Sequence, residues 1–139
     1  MGKTLLYRLL GIGRVPARER AAFEAEGVVF MDEGLSGSIT LKHYRAPWRR
    51  CSWRKVWFSG SLVLTERRFA AFAFSKPLVN VPLDDPRLAS LEVSAPREGV
   101  FCVAFEAADF RDDQSGRVEC RWKASRAAEL VDRLTGGAV

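Results

Sequence analysis

The sequence has little of what most metal and catalytic sites need. It contains one histidine, His43, and three widely spaced cysteines, Cys51, Cys102 and Cys120, with no Cys-x-x-Cys pair. A structural zinc site takes about four such ligands at short spacings, so the sequence predicts no metal and no cofactor. Three unpaired cysteines are expected to be buried reduced thiols, as in a cytoplasmic protein.

Long apolar runs are also missing. Runs such as Phe69 to Phe74 are far shorter than the roughly 20 residues of a membrane-spanning helix. The N-terminal stretch MGKTLLYRLLGIG lacks the hydrophobic core and cleavage site of a signal peptide. Leu6 occupies the position where a myristoylation signal needs Ser or Thr. We therefore expect no transmembrane segment and a cytoplasmic location, with at most a peripheral association with a membrane.

No catalytic motif is present in the sequence. No serine lies in a Gly-x-Ser-x-Gly elbow. The pairs Asp84-Asp85 and Asp112-Asp113 lie close to proline or glycine, where aspartate favours turns. His43 alternates with Ile39 and Leu41 and is predicted on the apolar face of a strand, as a core or rim side chain. The sequence thus predicts a protein that is not an enzyme, and the alternative is an atypical site around His43 in the open end of a barrel.

What the sequence does contain is strand pattern, in a chain of 139 residues that fits one domain. The stretch GSLVLTERRFAAFAF, Gly60 to Phe74, predicts a central β-hairpin, because two apolar runs flank a charged turn. In its arms Leu62 shares a face with Leu64, and Phe72 shares a face with Phe74. Further strands are predicted at Val28–Met31, Ser36–Arg45, Arg54–Phe58, Leu78–Leu83, Leu88–Ser94, Val100–Phe105 and Arg117–Lys123.

Helical pattern is confined to the two ends of the chain. ARERAAFEAE follows Pro16 and precedes Gly27, which predicts a helix ending there. An amphipathic helix is predicted from about Arg126, with Ser125 as its N-cap. We therefore predict a mainly β (α+β) fold of about seven or eight antiparallel strands. It would be a bent sheet or small barrel (27–139) with a C-terminal amphipathic helix, preceded by a helical extension (1–26).

The segment Gly60 to Phe69, GSLVLTERRF, resembles the Gly-x-Leu-x-Leu-Thr-x-x-Arg-aromatic/aliphatic strand pair of the pleckstrin-homology-like superfold, nearest its GRAM and bacterial PH-like branch. Gly116–Trp122 followed by Ala128–Leu134 is similar to the last strand and C-terminal helix of those domains. The resemblance covers about residues 27–135 in element order. It implies a non-catalytic module that binds lipid headgroups, peptides or partner proteins. The phosphoinositide pattern of eukaryotic members is not cleanly present, so no lipid specificity is implied.

The chain departs from that family in an added N-terminal helix and in one unusually long segment, Lys42 to Trp57, which we call the basic–aromatic segment. It carries six of the 22 Lys and Arg residues and none of the 17 acidic ones, so it accounts for the whole net charge of +5. Tryptophan beside basic residues suits an anionic membrane interface and also a single-stranded nucleic acid. The alternative is a long hairpin whose tryptophans pack inward while arginine stems cover apolar surface.

We predict that the basic–aromatic segment is the contact surface of a binding or scaffold module. The expected ligand is a protein partner or anionic lipid headgroups, in preference to nucleic acid. Residues 1–13 are a second candidate, an apolar docking element through which the chain would join a larger assembly or a homo-oligomer. The predicted ligand-binding residues are Lys42, Arg45, Trp48, Arg49, Arg50, Trp53, Arg54 and Lys55.

Overall fold

The computed structural model describes residues 14–47 and 49–135, so residues 1–13, Trp48 and residues 136–139 lie outside the described part. Its helices and strands are α1 Ala17–Glu26, β1 Val28–Ala46, β2 Arg49–Thr65, β3 Arg68–Ala73, β4 Lys76–Pro82, β5 Glu92–Arg97, β6 Val100–Glu106, β7 Ser115–Lys123 and α2 Ala127–Leu134. Within these residues, seven antiparallel strands form one sheet in the order β4-β3-β2-β1-β7-β6-β5. The predicted mainly β fold with a C-terminal helix is confirmed.

The chain divides into two compact units, each built from two separate stretches. The first unit contains the chain up to Gly37 together with Phe58–Leu88. The second contains Ser38–Trp57 together with the chain from Ala89 onward. The long strands β1 and β2 therefore contribute to both units. The boundary predicted after residue 26 stays a prediction.

The first unit is centred on the predicted hairpin of β2 and β3. The pairing aligns Gly60 with Ala73, Leu62 with Ala71 and Leu64 with Phe69, which confirms the hairpin. The side chains on both of its faces are buried, as expected for two continuous apolar runs. 

The end of β3 differs from the prediction. Phe74 was predicted to share a face with Phe72. Instead it lies beyond the last residue of β3, with a positive φ of 57° and 40% of its surface exposed. The left-handed backbone at Phe74 interrupts the strand alternation on which the prediction relied.

Helix α1 packs on one face of this hairpin. Its only fully buried residue among those described is Phe23, which lies 6.1 Å from Phe72 between ring centroids, in an edge-on arrangement. Gly27 follows the helix with a φ of 89° and ends it, as predicted. The carboxylate of Glu26 accepts hydrogen bonds from Thr65 Oγ1 at 2.9 Å and from Arg68 Nε at 2.9 Å. The helix is thus held by one aromatic side chain and a set of charge-assisted hydrogen bonds.

Strand β1 does not stop where the sequence predicted. Two strands, Val28–Met31 and Ser36–Arg45, were predicted, but Asp32-Glu33-Gly34 between them lies within the continuous strand Val28–Ala46. Gly34 takes a φ of 72° without ending the strand. The Glu33 carboxylate accepts the Val15 N–H at 2.6 Å and pairs with the Arg20 guanidinium. Partners distant in sequence therefore stabilise acidic residues that would otherwise favour a turn.

The two ends of the sheet are β4 and β5. The edge position of β4 agrees with its two prolines, Pro77 and Pro82, which have no backbone N–H to donate to a neighbouring strand. The strand predicted over Leu88–Ser94 begins only at Glu92, because a 3-10 helix, Pro86–Ser90, precedes it. That helix begins where the Arg87 N–H donates to Asp85 Oδ1 at 2.8 Å. The predicted turn at Asp84-Asp85 thus extends further than expected.

The second unit has its core between β6, β7 and α2. Phe101 pairs with Trp122 across β6 and β7, and both side chains are fully buried. Helix α2 contributes Ala127 and Leu130 to this core. The predicted N-cap at Ser125 is wrong, since Arg126 occupies that position, with no side-chain cap, and pairs with Glu129 at 2.7 Å.

The cysteine prediction is met in part. Cys102 and Cys120 are buried, as predicted, whereas Cys51 is only half-buried. All three thiols are free. Burial raises the pKa of the Cys102 and Cys120 thiols, which keeps them protonated and chemically inert at neutral pH.

Candidate functional site

The basic–aromatic segment lies on the parts of β1 and β2 that belong to the second unit. Lys42 and Arg45 lie on β1, and the rest of its described basic residues lie on β2. Strand β2 begins at Arg49 and not at Arg54 as predicted. The whole stretch RRCSWRKVW is therefore extended, and its side chains alternate between two faces.

A backbone distortion in β1 lies at His43, between the basic residues Lys42 and Arg45. His43 has a φ of 50°, and Gly116 on β7 has a φ of 107°. A Cβ on Gly116 would lie only 2.5 Å from the carbonyl oxygen of His43, so glycine is needed at this close approach. The distortion interrupts the alternation, and His43 is exposed instead of lying on the apolar face with Leu41. The prediction of an inward-facing His43 is wrong for this reason.

Lys42 is engaged within the fold by an ion-pair network across β1, β7 and β5. Its Nζ lies 2.8 Å from Glu119 Oε1, and Arg117 pairs with Glu119 at 3.2 Å and with Glu92 at 2.8 Å. The hydrogen bond from Lys42, aided by that from Arg117, lowers the pKa of Glu119. Hydrogen bonds to Glu92 and Glu119 raise the pKa of Arg117. The charge of Lys42 is therefore balanced locally by the network.

The tryptophans of β2 do not pack inward. Trp53 is 61% exposed and Trp57 is 64% exposed. Strand alternation places both on one face with Lys55 between them, and Lys55 Nζ lies 4.4 Å from the centroid of the Trp57 ring. The inward-packing alternative is contradicted for these two residues, while Trp48 lies outside the described residues.

The arginines of the segment make no ion pair within the described fold, although Arg45 lines a depression that also contains Asp112 and Asp113. Arg45, Arg49, Arg50 and Arg54 are all exposed. Within residues 14–47 and 49–135, none of these four makes an ion pair. By contrast, Arg68 in the first unit is held by a carboxylate. The segment therefore presents a positive field that a bound anion would neutralise.

A shallow depression of about 310 Å³ opens beside these arginines. No carboxylate is among its described lining residues, so His43 has no acidic neighbour there to orient it for proton transfer. The described residues also contain no group of three or more His, Cys, Asp or Glu side chains that could hold a metal ion. The chemistry that these side chains support is the binding of an anion by guanidinium groups. The lining residues are His43, Tyr44, Arg45, Arg50, Cys51 and Ser52.

Trp57 was not among the predicted ligand-binding residues. Trp57 is as exposed as Trp53 and shares its strand face. The i, i+2, i+4 spacing of Trp53, Lys55 and Trp57 was the signal that could have found it. The ion-pair network of Lys42 left no comparable signal, because its partners lie far away in the sequence.

Comparison with known proteins identifies no relative of this chain. A scan against protein-family models, a search of curated proteins and a search of solved structures each find no match. The PH-like resemblance therefore stays a prediction, and the fold class rests on the structure. In the described part of the chain, no helix has both the length and the apolar character to cross a membrane.

Proposed function

We propose that this protein is a non-catalytic PH-like binding module that holds an anionic partner on the basic–aromatic segment. The observation that carries the proposal is the exposure of Trp53 and Trp57 on a strand whose arginines make no ion pair with any described residue. Exposed tryptophans flanked by arginines are the residue types enriched where proteins make contacts. Burying each ring against a partner would gain about 1.5–3 kcal/mol or more of apolar transfer free energy.

The partner's chemistry follows from the charge. Arg49, Arg50 and Arg54 would each contribute about 1 kcal/mol of attraction to an anionic surface. An acidic protein surface and a layer of anionic lipid headgroups both provide that charge. The lack of a carboxylate in the described lining beside His43 supports a binding role over catalysis.

The test measures binding to two anionic probes, vesicles of graded anionic lipid content and polyglutamate. We expect the wild type to bind at least one probe at low salt, with affinity falling as salt screens the charges. Replacing Arg49, Arg50 and Arg54 together by Ala should remove about 3 kcal/mol, which corresponds to roughly a 150-fold loss.

A matched control uses three other exposed arginines of the second unit. Arg97, Arg111 and Arg121 are exposed and make no ion pair among the described residues. Their triple replacement by Ala changes the net charge by the same amount but leaves the segment intact. Failure of the wild type to bind either probe contradicts the proposed function, and an equal loss in the control contradicts the assignment to this segment.

A further inference from the structure

One side of β2 has no strand partner in the second unit. Strand β1 flanks β2 on one side in the sheet order, and the pairing with β3 on the other side begins only at Gly60. No described strand therefore pairs with that side of β2 between Arg49 and Trp57. We call this the open edge. It leaves the outward N–H and C=O groups of alternate residues without a ladder partner.

The open edge differs from the two ends of the sheet. At one end, β4 contains Pro77 and Pro82. At the other end, β5 contains Pro96, and its pairing with β6 shifts between Ser94 and Arg97. Prolines and bulges block the addition of another strand. The open edge contains neither proline nor glycine, so every outward amide of Arg49–Trp57 can donate a hydrogen bond.

Charge decides which strand the open edge can accept. A second copy of this chain, paired edge to edge, would bring the four basic side chains of Arg49–Trp57 beside the same four of the other copy, and the repulsion between like charges is destabilising. An acidic strand would instead place carboxylates opposite guanidinium groups that make no ion pair in the described part of the chain. The basic side chains thus disfavour self-pairing and favour an acidic segment.

The two faces of the open edge differ in chemistry. Strand alternation places Arg50 and Arg54 on one face, and it places Trp53 and Trp57, together with Arg49 and Lys55, on the other. An incoming strand alternates in the same way. Its side chains on the arginine face should be acidic, and those on the tryptophan face should be apolar.

From this geometry we propose that the open edge binds an extended segment of a partner protein, alternating acidic and apolar residues, by β-strand addition. The inference rests on the proposed function and names the partner's chemistry and binding mode. At about 3.3 Å per residue, Arg49–Trp57 spans roughly 30 Å, which accommodates about nine residues of an added strand. Main-chain hydrogen bonds supply affinity, and the two faces supply specificity.

The test uses a synthetic peptide of about nine residues that alternates glutamate and valine. Binding is followed by the fluorescence of the exposed tryptophans and by the shift of backbone amide signals in solution NMR. Two further peptides carry N-methyl groups on alternate amides, in opposite registers. Since only alternate amides of an added strand point at β2, one N-methyl series should lose at least tenfold in affinity while the other binds like the parent.

A charge-reversed variant gives a second, independent measurement. In Arg50→Glu/Arg54→Glu, the glutamate–valine peptide should bind at least tenfold more weakly, and a lysine–valine peptide should bind in its place. The matched control, Arg97→Glu/Arg121→Glu, should keep the original preference, because neither residue lies on β2. Far-UV circular dichroism confirms that each variant retains its strand content.

Three results would overturn the inference. Equal binding by both N-methyl series would mean that side-chain charge alone holds the peptide. Binding to anionic vesicles without binding to any peptide would leave the proposed function standing and remove the strand-addition mode. Concentration-dependent self-association that the peptide does not compete with would identify a second copy as the occupant.

Discussion

Two buried hydroxyls on the same face of β2 should respond to mutation with opposite signs. Ser61 is fully buried, and its Oγ has no hydrogen-bond partner among the described residues. Thr65 is 1% exposed, and its Oγ1 accepts the Arg67 N–H at 3.1 Å and the Arg68 N–H at 3.0 Å while donating to Glu26. We predict that Ser61→Ala stabilises the protein and that Thr65→Val destabilises it.

The magnitudes follow from the hydrogen bonds gained and lost. An unpaired buried hydroxyl costs about 1–3 kcal/mol. Removing that of Ser61 leaves a small void and a residue of lower strand propensity, so the net gain should be about 1 kcal/mol. Thr65→Val keeps the shape but loses three hydrogen bonds, which should cost about 2–4 kcal/mol.

Urea denaturation measures both changes as shifts in midpoint at constant slope. In thermal unfolding, each kcal/mol should move the midpoint by roughly 3–5 °C for a chain of this size. The sign for Ser61→Ala is diagnostic, because most substitutions of buried residues destabilise. A destabilised Ser61→Ala variant would refute the argument, since it would mean that the hydroxyl is satisfied in solution.

Two further predictions concern the packing of α1 and the ion-pair network. Phe23→Ala should lower the free energy of unfolding by about 3–5 kcal/mol, because it removes the buried aromatic side chain of α1. A loss below about 1 kcal/mol, measured by urea denaturation, would contradict the packing of α1 on β2 and β3. Because the pKa of Glu119 is lower in the folded protein than its ordinary value of 4.5, ionised Glu119 stabilises the fold above pH 4.5. That stabilisation is lost as the pH falls through the folded-state pKa. Glu119→Gln should therefore lower the free energy of unfolding at pH 7 by about 1 kcal/mol or less, because solvent screens the half-exposed Lys42. The variant should also lose less stability than the wild type as the pH falls below 4.5. Parallel stability–pH curves for the variant and the wild type would argue against this network.

The parts of the fold that could be predicted are those whose signal is local. The hairpin Gly60–Phe74 was predictable because its apolar runs and polar turn are contiguous. The continuity of β1 could not be predicted, because the Glu33 carboxylate is held by Val15 and Arg20, which come close to it only when the chain folds. The N-cap at Ser125 failed by one residue, because the helix begins at Ala127 with Arg126 in the cap position, and local sequence fixes helix ends only to within one or two residues.

The candidate site also has features that the sequence predicts and features that depend on folding. The excess of charge in Lys42–Trp57 can be counted from the sequence. Which charges are balanced cannot, because Lys42 finds Glu119 across the sheet while Arg50 and Arg54 find no acid among the described residues. The outward position of His43 was also hidden, since it depends on a close backbone approach by Gly116.

The path of the chain through its two units limits how the protein can be dissected. The chain leaves the first unit after Gly37, returns at Phe58, and leaves again after Leu88. No contiguous fragment consists of one unit alone, because the fragment from Ser38 onward that contains the second unit also contains Phe58–Leu88 of the first. An isolated second unit would need Trp57 spliced to Ala89 by a designed linker. The natural place for added sequence is the β1–β2 connection at Pro47, where an insertion would interrupt neither strand.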